Sequence, residues 1–261
     1  MTLEISNVWK SFSHRGRVQS VLRGVDLTIG KGEFVSLIGH SGCGKSTLVS
    51  IAAGLANADG GSVSLDGAKV VGPSPDRAVV FQNYSLLPRL SLQQNVAVAL
   101  AAARPEQSKQ HRDAQVERYL TAVGLWEHRS KRPHQISGGM QQRCAVARAF
   151  AVEPRVLLLD EPFGALDALT RARLQTQLVD LWQSESETEI VLMVTHGIDE
   201  AILLSDRIVV MSNPPQPSIL DVIEVDIPRP RDRVSIARST EFVAVQQRLM
   251  DLLTIDGERA A

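Results

Sequence analysis

The feature that most constrains this chain is a glycine-rich segment, Gly39-His-Ser-Gly-Cys-Gly-Lys-Ser-Thr47, which directly follows the apolar run 33–38. Its pattern is G-x-x-x-x-G-K-[ST], a loop whose backbone N–H groups and following helix N-terminus surround a bound phosphate. An apolar strand precedes the motif and a helix over Ser46–Ala53 is predicted to follow it, which is the context that this mechanism requires. A glycine-rich turn followed by a solvated lysine is the alternative. The strand-then-helix context favours the phosphate site.

Each residue type in this segment has a separate chemical reason to be there. The glycines let the backbone fold tightly around an anion. Lys45 adds a positive charge for the β- and γ-phosphates, and the Ser46 hydroxyl can bind Mg²⁺. The residues predicted to form the phosphate site are Gly39, His40, Ser41, Gly42, Cys43, Gly44, Lys45, Ser46 and Thr47.

One of the two cysteines, Cys43, lies inside the predicted loop, beside Lys45 and close to a helix N-terminus. A positive charge and a helix N-terminus both lower the pKa of a thiol. The sequence therefore predicts that Cys43 reacts with maleimide faster than Cys144, which is expected to be buried on a helix face, and that a bound nucleotide protects it.

Composition excludes several classes of protein. The 261 residues carry 28 Lys plus Arg and 29 Asp plus Glu, so the basic excess that drives binding to nucleic acid is missing. The longest apolar run, Val96 to Ala103, is far below the roughly 20 residues that cross a bilayer. Two cysteines exclude a disulfide framework, and Met1 to Lys10 does not have the pattern of a secretory signal. A reducing, cytoplasmic setting is expected.

Hydrophobic patterning predicts an α/β fold. Short alternating strands in the first third indicate an antiparallel β layer, whereas nearly continuous apolar runs at 33–38, 156–159, 189–194 and 207–211 are typical of parallel strands covered on both faces. Helical periodicity dominates from Ser91 to Ala151. We predict a mixed sheet, an antiparallel layer and a helical insertion at about 83–150, all within a domain at 1–235, followed by a C-terminal helical tail at 236–261.

Two carboxylates, Asp160 and Glu161, follow the apolar strand at 156–159. Beside a phosphate site, the first is expected to hold a metal ion, and the second to polarise the attacking water as a general base. Two acidic residues after a strand are ordinarily a solvated turn, but the phosphate loop in the same chain favours the catalytic interpretation.

The segment Ile136-Ser-Gly-Gly-Met-Gln-Gln-Arg143 completes a resemblance to the nucleotide-binding subunit of ATP-binding cassette (ABC) transporters. From the residues alone, Ser137 is an N-cap at a helix start. The resemblance makes Ser137, Gly138, Gly139 and Met140 the family signature and implies ATP and Mg²⁺ as ligands. It also implies a head-to-tail homodimer, in which this helix start faces the γ-phosphate of ATP on the partner copy. Met140 replaces a Gln that is usual in the family.

Four more residues acquire roles from the resemblance. Gln82 is similar to the Q-loop glutamine that contacts Mg²⁺ and the attacking water, where an exposed amide is the alternative. Asp167 is similar to the D-loop aspartate at the dimer seam. His196 is similar to the switch histidine that contacts the γ-phosphate and orients Glu161, although a lone His after a strand is more often structural. Phe12 stands where an aromatic ring stacks on adenine, with a core Phe as the alternative.

Subfamily features favour an importer. The apolar segment Tyr84–Leu90 is either a core loop or a groove for a helix of the permease, and the segments 162–169, 200–207 and 228–233 are similar to importers of nitrate, sulfonate and taurine. The resemblance implies two integral membrane permease subunits, a periplasmic or lipid-anchored solute-binding protein, and a peripheral location on the cytoplasmic face of the inner membrane. A cassette ATPase acting on nucleic acid or ribosomes, an importer for another solute, and a GTPase or kinase are the alternatives.

Overall fold

The structure, a computed structural model, describes residues 1–14, 17–183, 187–214 and 216–260. Its strands are β1 (Thr2–His14), β2 (Arg17–Gly30), β3 (Phe34–Gly39), β4 (Gly60–Leu65), β5 (Ala68–Lys69), β6 (Arg77–Val80), β7 (Val156–Asp160), β8 (Ile190–Val194), β9 (Arg207–Met211) and β10 (Ile219–Glu224). Its α-helices are α1 (Lys45–Ala52), α2 (Leu92–Ala103), α3 (Lys109–Ala122), α4 (Gly138–Ala151), α5 (Ala168–Gln183), α6 (Ile198–Leu204), α7 (Arg233–Ile236) and α8 (Thr240–Ala260).

The first of two compact units comprises Met1–Pro73 and Ile190–Ala261. It contains an antiparallel layer in the order β2-β1-β4-β5 and a set of neighbouring strands in the order β10-β9-β3-β8. Strand β3 runs parallel to both β8 and β9, and β10 runs antiparallel to β9. The predicted antiparallel layer and mixed sheet are therefore confirmed. All six residues of β3 are buried, which explains its continuous apolar sequence.

One apolar core in this unit connects the strands to the C-terminal helices. Ile38 of β3 and Val210 of β9 belong to the same buried cluster as Ile236, Phe242 and Leu249. Because the last two of these residues lie on α8, that helix packs against β9 and against β3, the strand that leads into the glycine-rich loop. The tail at 236–261 as a domain of its own stays a prediction, and its last residue, Ala261, lies outside the described residues.

The second compact unit is Ser74–Glu189. Strands β6 and β7 pair in parallel, and helices α2, α3 and α4 pack on one another. The unit is longer than the insertion predicted at about 83–150, because it also includes β6, β7 and α5. Apolar residues that recur every three to four positions give the insertion helices an apolar face, and Val96, Leu120 and Val146 on these helices are fully buried. Among the described residues, each helix is too short or too polar to cross a membrane.

Candidate functional site

The glycine-rich loop connects β3 to α1 in the first unit. Gly44 has a φ of 99° and is the N-cap of α1, a backbone conformation that L side chains rarely adopt. Gly39 is crowded instead, because an added Cβ would lie 2.2 Å from the carbonyl oxygen of Met211. These glycines are therefore required by backbone geometry. The helix begins at Lys45, one residue before the predicted Ser46.

Lys45 points into the loop that precedes it. Its side chain is 5% exposed, and Nζ donates hydrogen bonds to the carbonyl oxygens of Gly39, at 2.7 Å, and His40, at 2.9 Å. The loop thus combines a buried cation with the N-terminus of α1, which is a favourable environment for an anion.

His196 leaves the sheet at the same edge as the loop. Strands β3 and β8 are parallel, with Leu37 opposite Val194, so Gly39 and His196 both follow carboxyl ends of neighbouring strands. Ligands collect at this edge in open parallel sheets. His196 is exposed, and Gly197 after it is the N-cap of α6.

In the second unit, Gln82 and Glu161 follow parallel strands in the same way. Val80 of β6 lies opposite Leu159 of β7, and the amide Nε2 of Gln82 donates to Oε2 of Glu161 at 2.9 Å. Glu161 has a φ of 49°, which is a strained conformation for a residue with a long side chain. Asp160, the last residue of β7, is half-buried. The strand ends bring an amide and two carboxylates together.

The start of α4 adjoins the start of α5 in this unit. Ser137 is the N-cap of α4, and its hydroxyl accepts a hydrogen bond from the N–H of Met140 at 3.3 Å. The donor is the backbone N–H of residue 140, so the bond is kept when Met replaces the Gln that is usual in the family. A Cβ on Gly139 would lie 2.5 Å from Cγ2 of Thr170. Asp167 accepts from the N–H of Thr170 at 3.0 Å, and this bond holds the pKa of its carboxyl below the usual value.

The pattern of a phosphate loop, strand-end carboxylates and a serine-capped helix matches a known family. The ABC transporter family profile matches residues 22–164. The chain belongs to the ABC transporter family. In a solved structure of the ATP-binding cassette MJ0796, a dimer bound to ADP and Pi, the fold is similar with a TM-score of 0.76 and 30% identity, over 87% of this chain and 100% of that one.

Curated relatives in the ABC family are similar over almost the whole chain. The bicarbonate transport ATP-binding protein CmpC of Synechococcus elongatus is 48% identical over 95% of this chain, which spans only 37% of that longer protein. The nitrate import ATP-binding protein NrtD of Synechococcus elongatus is 45% identical over 96% of this chain and 91% of its own length. The bicarbonate transport ATP-binding protein CmpD of Synechocystis is 44% identical over 96% of this chain and 88% of its own length.

The ABC residues expected to hold Mg²⁺ present oxygen atoms, which this ion prefers. Ser46 is an exposed residue in the first turn of α1, and Gln82 and Asp160 supply an amide and a carboxylate at strand ends. Within the described part of the chain, no group of three His, Cys, Asp or Glu residues could hold a metal alone. Ser46, Gln82 and Asp160 are each a donor of the kind that Mg²⁺ accepts, because this ion prefers oxygen, keeps several waters and takes further oxygens from substrate phosphates.

Phe12 is not a core residue. It is 48% exposed on β1, and the ammonium of Lys10 lies 5.5 Å from its ring centroid. Lys10 is itself held by Asp59 at 2.8 Å. The alternative interpretation of Phe12 as a core Phe is therefore wrong, and its role in stacking on adenine stays a prediction.

The expected low pKa of Cys43 is wrong. The residue is fully buried, and desolvation raises the pKa of its thiol from the usual 9.0, against the opposing effect of Lys45. The sequence showed the neighbouring charge but not the burial, and burial dominates. Cys144 is also fully buried, and burial raises its pKa to about 12.

We expect both thiols of the folded protein to react with maleimide more slowly at pH 8 than a free cysteine, because raised pKa values leave less thiolate. Cys43 should still react before Cys144, whose pKa is about 12. Mass spectrometry of timed samples measures this, with the urea-unfolded chain as the control. Labelling of either thiol at the rate of the unfolded chain would contradict the assigned burial.

Two contacts near the site were not predicted from the sequence. The ring of His40 bonds to the carbonyl oxygen of Leu253 on α8, 213 positions away. The hydroxyl of Tyr84 would lie 3.0 Å from a Cβ added to Gly138. The first contact had no sequence signal. The second contact had a partial signal in the sequence, because Gln82 directly precedes the predicted helical insertion that contains Gly138.

Proposed function

We propose that this chain is the ATP-hydrolysing subunit of a bacterial ABC importer, which energises uptake of a small oxyanion through separate permease subunits. The observation that carries the proposal is the similarity to NrtD, a nitrate import ATP-binding protein, at 45% identity over nearly the full length of both chains. The buried Lys45 in its glycine-rich loop supports the assignment independently, since it suits the phosphates of ATP.

In the proposed reaction, water attacks the γ-phosphorus of ATP and gives ADP and phosphate. Lys45 and the backbone of the loop bind the phosphates, and Glu161 accepts the proton of the attacking water. Gln82 orients that water, and His196 contacts the γ-phosphate. Ser46, Gln82 and Asp160 would hold Mg²⁺, whose positive charge would offset the negative charge of the phosphates.

We assign the second half of the phosphate site to another copy of the chain. Ser137 and the two glycines after it are exposed or half-exposed at the start of α4, where backbone N–H groups favour an anion. A head-to-tail pair would bring this helix start to the ATP of the other copy and supply charge stabilisation in trans. The dimeric state of the similar cassette MJ0796 supports this arrangement.

We assign the segment Tyr84–Leu90 to contact with the permease. Leu87 is 44% exposed there, although its backbone is firmly held. The buried side chain of Asn95 bonds to both the N–H and the carbonyl of Leu87 and to the carbonyl of Leu90. Arg148 donates to two further carbonyls of the segment, at 2.7 and 3.2 Å. An exposed apolar side chain whose backbone is already held can enter a protein contact with little further ordering cost. The chain would then lie on the cytoplasmic face of the inner membrane.

Nitrate and bicarbonate are the solutes best supported, because the names of the relatives refer to them. The support for sulfonate and taurine comes only from the similarity of segments 162–169, 200–207 and 228–233 to importers of these solutes. The transported anion is expected to contact the solute-binding protein and the permeases instead of this chain.

Uptake of labelled solutes by intact cells tests the proposal. A strain without this chain should lose uptake of labelled nitrate or bicarbonate, and the wild-type gene should restore it while Glu161→Gln should not. Labelled taurine is the third arm, and loss of taurine uptake alone would redirect the solute assignment. Unchanged uptake of all three anions, with the chain recovered on ribosomes or DNA instead of membranes, would overturn the importer function.

A further inference from the structure

The C-terminal helix α8 contacts the glycine-rich loop from the side of the protein core. The imidazole Nε2 of His40 lies 2.8 Å from the carbonyl oxygen of Leu253. Because a carbonyl can only accept, Nε2 carries the hydrogen in this contact. One turn further along α8, an ideal Cβ on Gly257 would lie 3.4 Å from both Cε1 and Nε2 of the same ring. The ring of His40 therefore lies against the helix.

The main chain and the side chain of His40 each form a hydrogen bond. Its main-chain carbonyl accepts from Nζ of Lys45 at 2.9 Å, while its ring donates to α8. The second residue of the loop thus connects the phosphate-binding ammonium to a helix more than 200 positions away. Because the side chain bonds to α8, the phosphate contact that we propose at this position would come from the backbone of His40.

Helix α8 is a firm support. Phe242 is 5% and Leu249 0% exposed in the core shared with β3. Arg248 forms an ion pair with Asp221 of β10 at 2.7 Å, and Gln246 donates to Asp199 of α6 at 2.8 Å. The helix is therefore held by apolar packing and by polar contacts to two other elements.

An acidic side chain in the same turn is buried. Asp256 is 2% exposed, and its Oδ2 has no hydrogen-bond partner among the described residues. Its charge acts on the loop, since it is one of the causes that raise the pKa of the Cys43 thiol. The contacts of His40 with Leu253 and Gly257 show that this turn of α8 packs against the loop.

We propose that His40 is a positioning residue of the ATP site and that the turn Leu253–Gly257 of α8 is its anchor. This rests on the proposed ATPase function. The anchor holds the backbone of His40 in the conformation that binds phosphate, so that ATP binding does not have to order the loop. Removing it should weaken ATP binding and leave the chemical step, which depends on Glu161, almost unchanged.

The test compares His40→Ala, His40→Gln, a chain that lacks residues 253–261, and the combination of His40→Ala with that deletion. Gln has an amide that can replace the ring N–H. Calorimetry gives the Kd for ATP, steady-state hydrolysis gives KM and kcat, and thermal melts show that each variant is folded. His111→Ala, an exposed residue on α3, is the matched control.

We expect His40→Ala and the deletion each to raise Kd and KM about tenfold with kcat within about twofold, as loss of one hydrogen bond would. The combination should be no worse than either alone, because both remove the same contact. His40→Gln should recover most of the affinity.

Three results would contradict the anchor. His40→Ala could bind ATP like the wild type, its effect could multiply with that of the deletion, or it could lower kcat and leave KM unchanged. A wild-type chain that fails to bind ATP would instead refute the proposed function. The two failures are therefore distinguishable.

Discussion

Glu161→Gln should lower ATP turnover by about 10²- to 10⁴-fold, the contribution of a positioned general base. The substitution removes the basic carboxylate but keeps the shape of the side chain. An amide oxygen can still accept the 2.9 Å hydrogen bond from Gln82, so the fold and the binding of ATP should persist. Unhydrolysed ATP should then accumulate between two copies, and size-exclusion chromatography with ATP and Mg²⁺ should show a dimer.

The control is Glu117→Gln, which makes the same chemical change on the exposed face of α3. It should hydrolyse ATP at the wild-type rate and elute as the wild type does. If Glu161→Gln keeps full turnover, Glu161 is not the base. If it loses turnover but stays monomeric with ATP bound, the base is supported and the head-to-tail dimer is not.

Lys45→Ala should weaken ATP binding by about 100-fold, equivalent to about 2.7 kcal/mol. The reason is the position of the ammonium, which is buried and held by two loop carbonyls next to the N-terminus of α1. A charge that is already desolvated interacts with phosphate more strongly than a surface lysine does. Calorimetric titration with ATP measures the effect.

Lys109→Ala removes a lysine that is 84% exposed and paired with Asp113, and it should bind ATP like the wild type. Because Lys45 also bonds to its own loop, a thermal melt of Lys45→Ala must show that the chain is folded. Normal ATP affinity in folded Lys45→Ala would refute the assignment of this loop as the phosphate site.

The sequence predicted those parts of the fold that depend on local pattern. Continuous apolar runs predicted β3, β7, β8 and β9, and Ser137 predicted the start of α4, because buried strands and helix caps have recognisable residue types. Pairing order and register depend on contacts between distant residues. The extent of the second compact unit, which includes β6, β7 and α5, was therefore not predictable from the helical insertion alone.

In the candidate site too, some features follow from a local sequence pattern and others depend on contacts between distant residues. The tight glycine-rich loop around Lys45 was predictable because one short segment contains its whole pattern. The pKa of Cys43 was not, since it depends on how deeply its loop is buried and on Asp256, far away in the chain. Similarly, the bond between His40 and Leu253 requires α8 to return to β3, which hydrophobic periodicity cannot show.

The left-handed backbone of Glu161 has a consequence for engineering this chain. At a φ of 49°, Gly or Asn would fit with less strain, by about 1–2 kcal/mol for Gly. With Glu161 as the proposed base, a library selected for heat resistance alone would drift away from Glu at position 161 and yield more stable proteins that no longer hydrolyse ATP. Screens for stable variants should therefore keep Glu161 and vary residues on the surface helices.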